Sequence, residues 1–580
     1  MFFASAQTLP APASDPTGAE SVHRDQIFDR FRVERQIEQS RVRSTRPQIT
    51  TPQPEPAAWN DQSKQKIFKL NSVIFDPLPK SVSHFELQKI VQKYTSRDGV
   101  SLFDIYSMLT DIDTLFDEKH IIGRAVLPVQ EVEHGIIRVK IIEAKIEKTV
   151  VTVKRPSYPI FEHNKSDFVP THDFFSQKFV EKQFHFTAKE FLNIKNLEEE
   201  LLRFNRQFRS QLTAELVPGD EHGLSNLKLT LIKPQPLSAS YFIDNSGRKS
   251  SGTIRNGFYA QLQGILGLED SFFVSYDETQ GTSMLVLSGG LPIDARGSSF
   301  NLSYDYGTPR TINGPFAVLD IHGISQRIRP SLRQLIINEK TQRLDTFLAV
   351  ETYQSKTWFD QDLNYAEKLL LITAGFDYNL RFDKSAIYGS FSVTAGNVGV
   401  ADYISTYRYR DFCLLRASLL RVWNLTEKST FIIRGNGHAA LTDLPQSQIF
   451  QIGGMSTVRG TEESLMSGDS GYVLSVEGRY KISQHHESVC TTSYAKLFQP
   501  RLEGFVFFDH GGVFYRDYPP SLHSCDFLFS VGVGGNLNIG KYISITGGVG
   551  QPIFTNLSHQ SVFRESLNSA RGYFTAQITF

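Results

Sequence analysis

Phe527-Leu-Phe-Ser-Val-Gly-Val-Gly-Gly-Asn-Leu-Asn-Ile539 alternates with a period of two: Phe527, Phe529, Val531, Val533, Leu537 and Ile539 oppose Ser530, Gly532, Gly534, Asn536 and Asn538. Successive strand residues point to opposite faces, so one face of this segment is apolar and the other polar. The same texture runs through residues 236–580. In 386–395, Ile387, Gly389, Phe391, Val393 and Ala395 oppose Tyr388, Ser390, Ser392 and Thr394. In 472–482, Tyr472, Leu474, Val476, Tyr480 and Ile482 oppose Ser475, Glu477, Arg479 and Lys481. Charge therefore falls on the face that cannot touch lipid. The chain ends Tyr573-Phe-Thr-Ala-Gln-Ile-Thr-Phe580, with Phe574, Ala576, Ile578 and Phe580 on one side. A soluble sandwich also alternates. The length of uniform texture, the glycine and charge on the polar face and the terminal aromatic point instead to a transmembrane β-barrel. Sixteen strands allow about 22 residues for each strand with its connection, which suits strands of roughly 9 to 11 residues.

Composition removes other classes. The chain has 580 residues, 61 Lys plus Arg against 61 Asp plus Glu, and 44 Phe, 22 Tyr and 3 Trp. A zero net charge argues against nucleic acid as the main partner. No apolar run reaches the roughly 18 residues of a membrane helix, a test that barrel strands escape. Residues 1–19 read as a signal remnant or a disordered terminus. Met1 to Gln7 carry a small-x-small cleavage site at Ala4-Ser5-Ala6 without a basic region before it, as if the start were placed too late. Residues 20–43 are highly charged with a thin apolar stripe at Ile27, Phe31 and Phe28, suiting a helix in a wet enclosure or a solvated one. Residues 44–66, with Pro47, Pro52, Pro54 and Pro56, read as an extended linker.

Between linker and barrel two α+β units are expected, at 67–146 and 147–233. In the first, Phe68 to Phe75 alternates as a strand and Ser83 with Glu86 makes a capping box. Leu87, Ile90, Val91 and Tyr94 then share a helical face, and Leu102, Ile105, Leu109, Ile112 and Phe116 share a second. Strands follow at Ile121–Val129 and Ile136–Ile142, turning near His134-Gly135. The second unit is a looser copy, with Leu197, Leu201, Phe204 and Phe208 on its helix and Leu227, Leu229 and Leu231 on its last strand. Residues 160–183 read as an insertion.

Several patterns imitate enzymes. Gly468-Asp469-Ser470-Gly471 resembles a serine-protease nucleophile segment but has no matched His and Asp, and His485-His486-Glu487 has no further ligand spaced for a metal. No catalytic residue, metal or cofactor is expected. Phe507, Asp509 and Gly511 share the lumenal face of a strand. A carboxylate there needs a cation, and Arg459 on the glycine-flanked segment Gly453 to Gly460 is the candidate. Cys490 falls on a periplasmic turn and Cys525 on an outer loop, too far apart across an apolar band of about 25 Å to form a disulfide.

With these residues in place the chain resembles the two-partner secretion transporters (TpsB), the haemolysin-activator branch of the superfamily that joins POTRA domains to an outer-membrane barrel. The resemblance rests on Arg124 to Gln130 with Gly135 and Glu143, on Val217-Pro-Gly219 with Gly223-Leu-Ser225, and on Asp244, Asn245, Gly247, Gly252 and Arg255 where the barrel begins. The loop motif of the family appears as Val458-Arg459-Gly460-Thr461, with Thr461 in an aromatic's place, and its F-x-D-x-G motif as Phe507, Asp509 and Gly511. Ala144 replaces a usual Gly, and Glu118-Lys119-His120 lacks the common Gly-aromatic pair. The resemblance implies an N-terminal plug helix, two periplasmic POTRA domains and a 16-stranded outer-membrane barrel over 234–580 with a loop folded into its lumen. It also implies that a large adhesin or haemolysin type exoprotein is recognised through the POTRA domains, and that Phe580 is the signal for the barrel assembly machinery. An assembly factor of the same superfamily would bring more POTRA domains than 67–233 can hold. A passive porin would need neither those domains nor the Arg459 and Asp509 motifs.

Overall fold

The computed structural model describes residues 67–580 except 131, 133, 157–167, 172–173, 185–192, 221–223, 295, 400–410, 483–499, 517–523, 541 and 557–568; before 67 it describes Gln26, Val33, Glu34, Gln36, Ile49 and Thr50. The Ala4–Ala6 cleavage site, the stripe at Ile27, Phe28 and Phe31, the four linker prolines, Gly223, His485 to Glu487 and Cys490 lie outside the described residues. Two compact units emerge, one holding the barrel with the N-terminal helical residues, the other residues 45–159 and 166–234.

The barrel is closed and antiparallel, and each strand pairs with its sequence neighbour. Its first half is β1 (Leu237–Asp244), β2 (Arg255–Gln263), β3 (Ser271–Glu278), β4 (Thr282–Pro292), β5 (Ser298–Pro309), β6 (Ile321–Asn338), β7 (Gln342–Phe359) and β8 (Asp362–Arg381). The second half is β9 (Ser385–Gly399), β10 (Asp411–Asn424), β11 (Ser429–Ala440), β12 (Ser470–Lys481), β13 (Pro500–Phe514), β14 (Cys525–Ile539), β15 (Ile543–Asn556) and β16 (Arg571–Thr579). β16 closes on β1, from Ser240 opposite Thr579 to Asp244 opposite Thr575. Closure leaves no unpaired edge in the bilayer, which is why a chain of negative mean hydropathy can span it.

The alternation sorts as the sequence requires. Val531, Val533, Phe391, Val393, Tyr480, Val506 and Ile578 are exposed on the outside, whereas Ser530, Thr394, Ser475, Glu477 and Asp509 are buried inside. The outward residues of β7 change from Leu348 and Val350 to Thr352, Gln354 and Lys356, so its outer end rises out of lipid. Strands of 18 to 20 residues at β6 to β8 are longer than an apolar band of about 25 Å demands. Cys413 and Cys525 carry free thiols. The Gly468 to Gly471 segment seals a strand end: the Ser470 hydroxyl accepts the Ala440 N–H at 2.9 Å, and the Asp469 carboxylate accepts that of Arg516 at 3.0 Å.

The second unit holds two α+β domains, each with two helices packed on a sheet. In the first, helices α1 (His84–Thr95) and α2 (Leu102–Glu118) each open on a capping box, Ser83 with Glu86 and Ser101 with Asp104. They cover a sheet ordered Ser72–Phe75, Ile136–Glu143, Gly123–Val126. Leu87, Ile105, Met108, Ile112, Phe116, Ile137 and Val139 fill the core; Leu102, expected on the buried face of the helix, is exposed, whereas Met108 is fully buried. The Glu143 carboxylate accepts the N–H groups of Lys80 and Ser81 at 3.1 and 2.9 Å, tying the loop before α1 to the sheet. Phe68 to Phe75 is not one strand. Ile67–Phe68 pairs with Val100–Ser101, and Ser72–Phe75 turns away to pair with Ile136–Glu143, because Leu70 between them drops into the core.

In the second domain the insertion reading fails over 168–183. Phe168–Thr171 pairs with Lys145–Pro156, and helix α3 (Phe174–Gln183) sends Phe179 and Val180 into the core that α4 (Ile194–Gln207) shares through Leu197, Leu201 and Phe204. At ten residues α3 samples its period too briefly to be read against its charged neighbours. The linker contributes backbone pairing, with Ile49 opposite Ala214 and Thr50 opposite Glu215 on Gln211–Pro218.

α2 ends in a Schellman motif: the His120 N–H bonds the Asp117 carbonyl at 2.9 Å and the Ile121 N–H that of Phe116 at 3.0 Å. His120 sits at φ 59°, the left-handed region where glycine is at ease. His120→Gly is expected to stabilise this domain by about 1 kcal/mol, measured as a higher urea midpoint for protease resistance of residues 67–146 in the full-length chain. An unchanged or lower midpoint would mean that the imidazole makes up for the strain.

Candidate functional site

The segment joining β11 to β12 is a stalk and a tip. Phe450–Ile452 pairs with Met466–Gly468, and the tip between them turns back on itself through Gly453 and Gly454, at φ 117° and 89°. The Gly453 N–H donates to the Thr457 hydroxyl at 2.8 Å, the Gly454 N–H to the Thr461 hydroxyl at 3.0 Å and the Met455 N–H to the Glu463 carboxylate at 2.6 Å. Thr461 in turn donates to the Val458 carbonyl at 2.7 Å. A threonine thus serves where the family places an aromatic: it braces the tip from inside.

All the predicted loop and wall residues meet here. Val458 is fully buried with Ile452 and Met466 of the stalk against Val473, Val513 and Leu528 of the wall. Arg459 is buried, and each of its side-chain nitrogens is engaged. Nε and Nη2 hold the two carboxylate oxygens of Asp509 at 2.7 and 2.8 Å, Nη1 holds Glu477 at 2.5 Å, and Nη2 also donates to Ser475 at 3.0 Å. The Arg459 backbone N–H donates to Asp509 as well, at 3.0 Å, so the carboxylate fixes the main chain of the tip. The guanidinium carbon lies 3.7 Å from the centre of the Phe507 ring, a cation–π contact in a water-poor site.

The spacing of the wall motif now has a cause. Phe507, Asp509 and Gly511 are successive inward positions of β13, meeting the guanidinium face, the guanidinium edge and Val458. A Cβ on Gly511 would come within 2.9 Å of the Val458 side chain. Gly460, at φ 89°, rests on Gly550 of β15, and a Cβ added there would lie 2.5 Å from the Gly550 carbonyl carbon.

Sequence reasoning placed Glu477 and Arg479 on the lumenal face but missed their role. Glu477 is shared, because Arg479 Nε holds its other oxygen at 2.5 Å. Arg479 reaches on to Glu34 of the N-terminal helix at 2.8 and 3.0 Å. The result is a chain of alternating charge: Asp509, Arg459, Glu477, Arg479, Glu34. Nearby, Gln26 donates to the Gln451 carbonyl at 2.7 Å, Tyr388 donates to the Gln36 carbonyl at 3.2 Å, and Val33 packs on Ala386, Tyr388, Leu420, Val422 and Ile432. The described helical residues near the N-terminus therefore lie in the lumen. The period-2 pattern signalled which residues face inward; Gly550 and Glu34 had no local signal.

At the start of the barrel, Asp244 and Arg255 face each other across β1 and β2 and pair at 2.7 Å, with Asp277 3.7 Å from the guanidinium. Asn245 lies at the outer end of the closing seam. Its amide accepts the Phe574 N–H at 2.9 Å and donates to the Gly572 carbonyl at 3.0 Å, extending the ladder by one peptide-like group. Gly247 is required by the turn, where a Cβ would lie 2.1 Å from the Gly252 carbonyl oxygen. Phe580 exchanges backbone bonds with Ala239 and exposes its ring.

A family model described as Haemolysin secretion/activation protein ShlB/FhaC/HecB matches residues 223–536, more than half of the chain. The chain belongs to this family. It is 23% identical over 524 residues, 86% of each chain, to the Heme/hemopexin transporter protein HuxB of Haemophilus influenzae (strain 86-028NP). It is 22% identical over 394 residues, 64% of this chain and 65% of the relative, to the Outer membrane transporter CdiB of Dickeya dadantii (strain 3937). Its fold matches CdiB from Escherichia coli with a TM-score of 0.64 at 16% identity, covering 98% of this chain and 99% of that one. BamA from Haemophilus ducreyi lacking POTRA domains 1-3 matches at 0.50 and 10%, over 88% of this chain and all of the other. The chain is an outer-membrane transporter, not an enzyme, with its two POTRA domains in the periplasm.

Gly460→Ala keeps every charge but pushes the tip off β15, with overpacking of about 1–3 kcal/mol added to the strained φ. Loop 441–469 is expected to become cleavable by protease added to intact cells. Protection equal to the parent's would mean that the wall yields to the methyl group.

Proposed function

We propose that this chain secretes a large partner exoprotein of the adhesin or haemolysin type, which crosses the barrel lumen unfolded and folds at the cell surface. The observation that carries this reading is a loop tip held inside the lumen, linked to described residues of the N-terminal helix, by hydrogen bonds and ion pairs, which have discrete made and broken states. The names of the relatives, a heme/hemopexin transporter and outer membrane transporters, support transport as the task.

No bond need be made or broken in the client. Progressive folding outside, each added β-helix turn burying the edge of the last, opposes backsliding. Recognition suits β-augmentation at a POTRA sheet, where backbone bonds give affinity with little demand on sequence. The second POTRA sheet ends in short strands of its own chain, Ile49–Thr50 and Phe168–Thr171. Among the described residues, Ser72–Phe75 and Gly123–Val126 are the outer strands of the first, and they are the edges assigned to the client. Phe580, exposed at the periplasmic rim, is assigned as the signal for the barrel assembly machinery, and the outer apolar face as the contact with outer-membrane lipid.

Arg459 and Asp509 hold the loop in the state from which transport starts. Removing one member of a buried pair costs about 3–5 kcal/mol, because the other charge stays behind uncompensated. Arg459→Ala strands two carboxylates, Asp509 and Glu477, and should be at least as damaging as Asp509→Ala; Arg459→Lys is expected to be poor because Lys lacks the planar fork. With secretion of the partner exoprotein as the readout, each alanine variant should lose export while still reaching the outer membrane, and the double variant should be no worse than the worse single. Multiplying losses, or parental export from either single, would rule out one shared lock.

The N-terminal helix is assigned as a plug. Deleting residues 20–43 should raise single-channel conductance in planar bilayers and lower export much less, since it removes an obstruction rather than a client site. Conductance that does not change would remove the plug assignment.

A further inference from the structure

We propose that Glu462 and Arg571 form a second latch, opposite in polarity to Arg459 and Asp509, that fastens the loop tip across the closing seam of the barrel. The tip is one rigid body, braced by the internal bonds of Gly453, Gly454, Met455, Thr457 and Thr461. On one side it inserts a cation, Arg459, into the wall of β12 and β13. Three residues on it presents an anion in the other direction. Glu462 Oε1 lies 2.7 Å from Nη2 of Arg571, the first residue of β16, and 3.6 Å from Lys249 Nζ in the turn between β1 and β2. Gly550 of β15, on which Gly460 rests, is the register partner of Arg571, so the tip steps from β13 across β15 to β16.

Two features make this more than a surface pair. Glu462 is largely sheltered, its side chain 19% exposed, and Arg571 is half-buried at 35%, which strengthens a charged hydrogen bond relative to one in open water. The pair also sits where the barrel is least stitched. The register of β1 and β16 stops at Asp244 opposite Thr575, and above that level, among the described residues, Asn245 continues the pairing through its backbone N–H, which donates to the Phe574 carbonyl at 3.4 Å, and through its side-chain amide to Gly572 and Phe574. Arg571 lies beyond that point. With opposite charges three residues apart on a braced tip, the tip cannot leave the lumen while either contact stays made. The loop is thus held at two points, and release requires both to break.

The inference builds on the reading of the loop as the element that opens for transport, and its test needs no client. In the full-length chain with Cys413, Cys490 and Cys525 replaced by Ser, a Ser456→Cys probe is placed on the buried tip, and its labelling by a small membrane-impermeant thiol reagent is timed in outer-membrane vesicles. Glu462→Gln and Arg571→Gln, which keep size and remove charge, should each speed labelling roughly three- to tenfold, and the double variant should label no faster than the faster single. Lys249→Gln, at a position 76% exposed, should change the rate by less than about twofold. Heat-modifiable gel mobility identifies assembled barrels, and Glu462→Asp, which keeps the charge and shortens the reach, provides a milder variant expected to lie between parent and Gln. Unchanged labelling in both Gln variants, or accelerations that multiply in the double, would overturn the latch and leave the secretion reading intact. Absence of partner export from the parent would overturn that reading and leave the latch standing.

Discussion

A guanidinium buried inside a membrane barrel is the constraint around which this molecule is arranged. Arg459 cannot be desolvated alone, nor can Asp509 or Glu477, because an isolated charge in a low-dielectric interior costs far more than a loop contact can return. Each is tolerable only with the others in place. That mutual dependence makes the loop position discrete: the network is strong when complete and unfavourable when partial. An apolar tip of the same volume would hold the loop as well but would release it gradually, and it would leave a greasy lumen behind.

The alternating series Asp509, Arg459, Glu477, Arg479, Glu34 extends the constraint beyond the loop. Each interior charge is flanked by opposite ones, which suits the neutral overall balance of the chain better than a lumen lined with one sign. It also links the loop tip to the N-terminal helix through three contacts, Arg459 to Glu477, Glu477 to Arg479 and Arg479 to Glu34. Around this ionic core the fit is made by absence of side chain. Gly511 makes room for Val458, and Gly460 and Gly550 let two backbones touch. The apolar cluster of Ile452, Val458, Met466, Val473, Val513 and Leu528 then excludes water from one flank of the pair and so raises the worth of each hydrogen bond in it.

The periplasmic half follows different rules. Its two domains are ordinary α+β layers, held by cores of Leu, Ile, Val and Phe and by helix caps. Their irregularities are local: His120 in a conformation that favours glycine, Glu143 tying a loop to the sheet, Leu70 breaking a strand in two. Such features leave weak traces in a sequence, so that Phe68 to Phe75 read as a single strand across Leu70, while α3, at ten residues, is too short for its period to stand out from an insertion.

What the sequence by itself determined is whatever repeats or acts at short range. The period of two over residues 236–580 decided the barrel, its inward face and the lumenal positions of Asp509, Glu477 and Arg479, because a strand presents alternate residues to opposite sides whatever it packs against. Capping boxes and i, i+4 spacing decided the first POTRA domain in the same way. The tertiary structure alone decided who meets whom: that Glu477 and Ser475 complete the shell of Arg459, that Gly460 needs Gly550 some ninety residues away, that Glu34 answers Arg479, and that Asn245 finishes the seam with β16. These contacts arise because closing the sheet brings its first and last strands together and folding the loop inward lays its tip on a wall built from distant segments, and no local pattern encodes the register in which they touch.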